Sequence, residues 1–137
     1  MDGKKLVIGL GMIAIYLFLI VNLLYAFNEK HLQQLKATTN CPKCDLSNAN
    51  LSGLDLSYAD LSNANLSGAN LTNITLYHAN LANANLSGAN LSDANCYDAD
   101  LTKANMLNTN ISKANFYNAT WSNGKRCKAN STGKCNQ

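Results

Sequence analysis

The chain has 137 residues, 47% hydrophobic and 14% charged, with a formal net charge of +3 and five cysteines, which leaves room for one domain only. Residues 45–121 hold six aspartates against Lys103 and Lys113, whereas Lys125, Arg126, Lys128 and Lys134 make residues 122–137 basic. With charge distributed this way, the whole chain reads neither as a basic nucleic-acid binder nor as a strongly acidic protein.

The first element is the stretch LVIGLGMIAIYLFLIVNLLYAF at residues 6–27, which carries no charge and only Asn22 as a strongly polar member. That is long enough to cross a bilayer, and longer than the apolar part of a secretory signal. Leu24-Tyr25-Ala26 is a poor cleavage site, and Thr38-Thr39-Asn40-Cys41 lacks the residues of a lipobox. The expectation is therefore an uncleaved anchor over residues 1–27; cleavage would instead give a secreted or periplasmic protein. Lys4 and Lys5 ahead of the span keep the N-terminus cytoplasmic, although Glu29, Lys30 and His31 behind it soften the contrast. A single pass through a bacterial inner membrane, with the C-terminal domain on the periplasmic side, is the expected topology.

Residues 28–43 form a linker and N-terminal cap. Leu32 and Leu35 stand at helical spacing, predicting a short helix before the folded domain.

From Cys44 the chain repeats every five residues without a slip. The central position of each unit reads Leu46, Leu51, Leu56, Leu61, Leu66, Leu71, Leu76, Leu81, Leu86, Leu91, Cys96, Leu101, Met106, Ile111, Phe116 and Trp121. Two residues earlier stands a small one, mostly Ala; the other positions are Asn, Asp, Ser, Thr and Gly, which favour turns and bond to their own backbone. A period of five fits neither helix nor strand and would scatter these leucines around either. Only a coil with one turn per unit keeps them together, and only stacked coils bury them.

Units such as Ala64-Asn65-Leu66-Ser67-Gly68 and Ala89-Asn90-Leu91-Ser92-Asp93 closely resemble the A-[DN]-L-x-x consensus of pentapeptide-repeat proteins, over residues 44–121. The resemblance implies an all-β fold, a right-handed quadrilateral β-helix with four units per 20-residue coil and the central and small columns pointing inward. Tyr77, Tyr97 and Tyr117 recur at that interval, as does LSNANLSGAN at 61 in LANANLSGAN at 81. About four coils follow, a solenoid only ~20 Å long at the spacing of paired backbones. The expected core includes Leu46, Leu66, Leu86, Leu91, Phe116 and Trp121.

Residues 122–137 leave the repeat. Trp121-x-x-Gly124-x-x-Cys127 followed by Gly133-x-Cys135 looks like the tail that closes many bacterial members of the family. In the coil frame Cys41 and Cys44 lie at the entrance and Cys127 and Cys135 at the exit. Ends ~20 Å apart are too distant for a disulfide, so the expected bonds are Cys41 to Cys44 and Cys127 to Cys135, each stapling one cap. The alternatives fit less well: one zinc site would have to span the same distance, and a redox CxxC at 41–44 lacks its usual βαβ context. No metal or cofactor is expected. Cys96 takes a central position and is expected to be a buried free thiol.

The coil frame gathers Tyr58, Tyr77, His78, Tyr97 and Tyr117 on one outer face, the candidate interaction surface for an unknown protein partner. His78 and Asp98 should be neighbours there; without a pocket or nucleophile they read as a surface pair rather than a catalytic dyad. The preferred expectation is thus a non-enzymatic, membrane-anchored interaction or scaffold module in the cell envelope. Some pentapeptide-repeat proteins mimic DNA and bind gyrase. The modest negative charge and the apolar segment argue against that reading here, and no nucleic acid is expected. A homodimer, through the tyrosine face or through an imperfectly capped end, stays open.

Overall fold

A computed structural model describes residues 13–17 and 29–137. The apolar run 6–27 lies outside the described residues except for helical residues 13–17, where Ile13, Ile15, Tyr16 and Leu17 are exposed. Among the described residues no helix is long and apolar enough to cross a membrane.

The helix over residues 29–38 is short and held at both ends. Gln33 donates to the Glu29 carboxylate one turn back at 2.7 Å, and Thr38 returns its hydroxyl to the Gln34 carbonyl at 2.9 Å. Thr39 then turns left-handed at φ 58°, and its amide bonds the Leu35 carbonyl, ending the helix. Leu35 is completely buried and Leu32 packs against the same core, so this helix lies over the first coil. Its exit segment continues the closure: the Cys41 and Lys43 amides donate to the Asp60 and Ser62 carbonyls, Asn40 accepts from the Asp60 amide, and Asp45 donates to the His31 ring.

Beyond Cys44 the backbone turns every five residues for a reason visible in two positions of each unit. The residue before the central leucine is usually Asn or Asp, and its Oδ1 accepts the amide two residues on, as from Ser47 to Asp45 or Ser67 to Asn65. The residue two after the leucine has positive φ in every unit from Asn48 to Asn118. Asn, Gly and Asp dominate there because they tolerate the left-handed region. Each turn closes with a bond from the next unit's small residue to the central carbonyl, as from Ala49 to Leu46 at 3.1 Å.

Parallel bridges then join each unit to the one 20 residues later, from Asp45 with Asn65 through to Asp100 with Thr120. The coils are accordingly 44–63, 64–83, 84–103 and 104–123, and each has four faces. The amides of the central residue and of the turn residue two after it donate to the following coil, as Leu46 to Asn65 and Asn48 to Ser67. On the face centred on Leu46, Leu66 and Leu86, the side chains extend this register: Asn65 donates to Asp45, Asn85 to Asn65 and Asn105 to Asn85, at 3.0–3.2 Å.

The inside is leucine and alanine. Leu46, Leu66, Leu86, Leu91 and Phe116 are fully buried, as is Cys96, the one free cysteine among the described residues. Trp121 departs from the expected core: it is half-buried, touching Phe116 edge-on with ring centroids 5.0 Å apart. Met106 and Ile111 share this partial exposure, because no further coil lies beyond them.

Burial pushes the Cys96 thiol up to about 12. The folded pKa lies above the unfolded one, so the neutral thiol's contribution is fully present below about pH 9 and is lost as pH rises toward 12. Wild type should therefore lose urea stability between pH 9 and 11 more steeply than Cys96→Ala, and Cys96 should resist iodoacetamide until the chain unfolds. Equal slopes in the two proteins, or rapid alkylation of the native thiol, would show that the position is open to water.

The exit is closed by the tail. Arg126 and Thr132 bridge antiparallel to Thr120 and Asn115, and the amides of Phe116, Asn118 and Trp121 donate to Ser131, Cys127 and Lys125. Two disulfides complete the ends, Cys41 with Cys44 and Cys127 with Cys135, at Cα separations of 5.3 and 5.0 Å.

Candidate interaction face

The face centred on Leu56, Leu76, Cys96 and Phe116 differs from the others on its outside. In the position directly after the central residue it carries Ser57, Tyr77, Tyr97 and Tyr117; in the next it carries Tyr58, His78, Asp98 and Asn118. Twenty-residue register stacks each set into a column, and the two columns interleave.

The rings make one continuous array. Tyr58 stacks on His78 at 5.2 Å, and His78 meets the edge of Tyr77 at 4.2 Å. Tyr77 stacks on Tyr97 at 5.4 Å, and Tyr97 meets Tyr117 edge-on at 5.4 Å. Tyr58, His78 and Tyr117 are exposed, while Tyr77 and Tyr97 are half-covered by their neighbours. Desolvation among the rings pushes the Tyr77 phenol above its usual range, with Tyr58, Tyr97 and Asp98 adding to the effect.

Two of the rings are held against local preference. Tyr58 has φ 61° and His78 φ 55°, in the turn position that other units fill mainly with Asn, Gly or Asp. A bulky residue in the left-handed region costs about 1 kcal/mol. Contacts between rings offset part of that cost. Lys103 and Lys113 take the same left-handed position in other units, so the turn demands the conformation, and the use of rings there is what sets this face apart.

Asp98 joins this array to the tail. Its Oδ2 lies 3.5 Å from His78 Nδ1, and its Oδ1 accepts from Arg126 Nη1 at 3.0 Å; Arg126 also donates to the Asn118 carbonyl. The rings therefore run the length of the face, and its exit half adds the charged pair of Asp98 and Arg126. Sequence periodicity brings together Tyr58, Tyr77, His78, Tyr97, Asp98 and Tyr117, and the structure adds Arg126. No repeat position could have located that arginine, because the tail leaves the five-residue period before it. His78 lies exposed and Asp98 half-buried on the outer wall. Among the described residues no group of His, Cys, Asp or Glu is placed to hold a metal ion.

Elsewhere on this face, Asp55 sits below the usual carboxylate range because the Ser57 hydroxyl and amide both bond it. At the entrance, burial opposes the ionisation of Asp45, but bonds from Ser47 and Asn65 and the charge of His31 outweigh it and hold this carboxyl low too.

Comparison with known proteins agrees with this geometry. The family profile described as Pentapeptide repeats matches residues 44–81, 69–106 and 79–118. The crystal structure of a pentapeptide repeat protein, Rfr23, from the cyanobacterium Cyanothece 51142 is similar at 38% identity and a TM-score of 0.59, covering 60% of this chain and 56% of that one. The present chain thus spans little more than half the length of that relative. A pentapeptide repeat protein of Nostoc PCC 7120, alr5209, matches at 33% identity over 63% of this chain and 76% of its own, with a TM-score of 0.41. QnrB1, a plasmid-mediated fluoroquinolone resistance protein, matches at 21% identity over 58% of this chain and 51% of its own, with a TM-score of 0.32, which says nothing about function. No protein of curated function matches the chain. With the family profile spanning more than half of its residues and a 20-residue parallel coil beneath them, the chain belongs to the pentapeptide-repeat family, whose fold is the right-handed quadrilateral β-helix.

Proposed function

We propose that the protein is a non-enzymatic interaction module, tethered to the bacterial inner membrane by residues 6–27, that meets a protein partner on its periplasmic side through the tyrosine and histidine face. The observation that carries this reading is the continuous ring array in which Tyr58 and His78 occupy left-handed turn positions. Aromatic side chains offer large contact area at low entropic cost, and a flat wall of them suits a protein surface rather than a small substrate. Two disulfides in so short a chain fit an oxidising compartment. The uncharged run and the exposed apolar side chains of residues 13–17 support the tether.

The test uses the full chain in cells, with a benzophenone amino acid placed at Tyr58 or, on another face in the same turn position, at Asn83. Irradiation should give a discrete adduct at 58 at least tenfold stronger than at 83. Equal labelling at the two sites would remove the face from consideration. Intact mass after alkylation in denaturant without reduction checks the compartment: the expected product is the uncleaved chain with at most one alkylated cysteine. Alkylation of all five would place the domain in a reducing compartment and overturn the exported topology.

A further inference from the structure

The exit end is only half closed. The tail satisfies the last coil on the two faces centred on Phe116 and Trp121, through Ser131, Cys127 and Lys125, with Gly133 and Cys127 donating in return to Ala114 and Ala119. On the other two faces, centred on Met106 and Ile111, the same groups have no backbone partner among the described residues. In the preceding coil the amides of Leu86, Gly88 and Leu91 donate to Asn105, Leu107 and Asn110, while Asn105 and Asn110 donate back to Ala84 and Ala89. One coil later, among the described residues, the amides of Met106, Asn108 and Ile111 and the carbonyls of Ala104 and Thr109 have no backbone partner. This is a ladder edge with its donors and acceptors spaced for an extended backbone.

The side chains along this edge also change character. Positions 47, 67 and 87 are serine; in the last coil the same position is Leu107, 67% exposed. Met106 and Ile111 are half-buried where their counterparts in earlier coils are fully buried. Apolar side chains thus line an unpaired edge on a face whose earlier coils carry serine there. The last coil and the tail are basic in sequence: residues 104–137 contain Lys113, Lys125, Arg126, Lys128 and Lys134 and no acidic residue, with Lys113 on the open edge, Arg126 paired with Asp98, and Asp93 one coil behind Lys113.

From the unpaired amides of Met106, Asn108 and Ile111, the exposed Leu107 and the basic last coil and tail, we infer that the open half of the exit edge takes an extended acidic peptide from a partner protein, added as a further strand. The tail's own segment around Ser131 shows the mode, since its carbonyl accepts from Phe116 as the peptide's would accept from Met106 and Ile111. Apolar residues of the strand would lie over Met106 on the inner side and beside Leu107 on the outer, with acidic ones facing the lysines. This edge lies apart from the ring array, so its role stands whether or not that face binds.

The experiment uses the full chain in detergent, labelled with nitrogen-15, and two blocked octapeptides, one alternating glutamate and valine, the other lysine and valine. The glutamate peptide should slow amide exchange at Met106, Asn108 and Ile111 at least tenfold while leaving Leu46 and Tyr97 unchanged, and the lysine peptide should have no effect. Leu107→Ser, which restores the residue of earlier coils, should weaken binding at least fivefold without changing the melting temperature. Three results would each overturn the inference: no slowing with either peptide, equal slowing with both, or slowing that depends on protein concentration without peptide, which would assign the edge to a second copy of the chain.

Discussion

Leu86→Asp is expected to abolish the folded solenoid, read as loss of the β circular dichroism signal at temperatures where wild type is intact. Leu86 is fully buried on the same inward column as Leu46 and Leu66 below it and Met106 above it. Truncating its apolar contribution costs about 2 kcal/mol. The larger penalty is electrostatic: the aspartate would face a leucine and alanine interior where the nearby Thr109 hydroxyl is already bonded to the residue-86 carbonyl, and it would have to protonate or draw water inward. A domain of this kind has a total stability of about 5–15 kcal/mol, so the sum removes most or all of it. The neighbouring Ser87→Asp, pointing outward, should melt within a degree or two of wild type. An unchanged spectrum for Leu86→Asp would mean that the inward register of the whole column is wrong, because a five-residue repeat that fails at one position fails at all of them.

This register is the part of the molecule most legible from sequence. The five-residue period dictates which residues point inward, and the 20-residue recurrence of Tyr77, Tyr97 and Tyr117 dictates which outward residues become neighbours; the ring array follows from those two facts. What the period does not contain is the end of the repeat. A repeat assigns Met106 and Ile111 to the core as firmly as Leu46, yet burial requires a neighbour on both sides, and the last coil has one on only the two faces that these residues do not share. For the same reason Leu107 reads as an ordinary variant of a serine column until the tail is seen to stop short of it. Arg126 belongs to a segment with no period at all, so its approach to Asp98 is a tertiary event. The backbone strain at Tyr58 and His78 lies between these cases: the turn column of Asn, Gly and Asp marks the left-handed position, but only the φ values show that the two rings follow it rather than break the turn.

The tail is where stability and the candidate surfaces meet, and the Cys127→Ser, Cys135→Ser double variant tests that connection. The bond closes a short loop, with a sequence separation of 8, for which the chain-entropy estimate is about 2–3 kcal/mol. In a solenoid each coil contacts only its neighbours, so the loss should act first on the last coil and fade toward the entrance. Hydrogen exchange should rise strongly at Phe116, Asn118 and Trp121, whose amides depend on tail carbonyls, and remain near wild type at Leu46 and Leu51. The Asp98 carboxylate should lose Arg126 as a partner, since that arginine is held by the strand between Lys125 and Cys127. Tyr117, at the exit end of the ring array, should gain mobility while Tyr58 does not. Uniform loss of protection along the chain would instead mean that the four coils unfold as one cooperative unit and that the tail clamps the whole domain. Protection unchanged at Phe116 and Asn118 would show that the antiparallel bridges hold the tail without the disulfide.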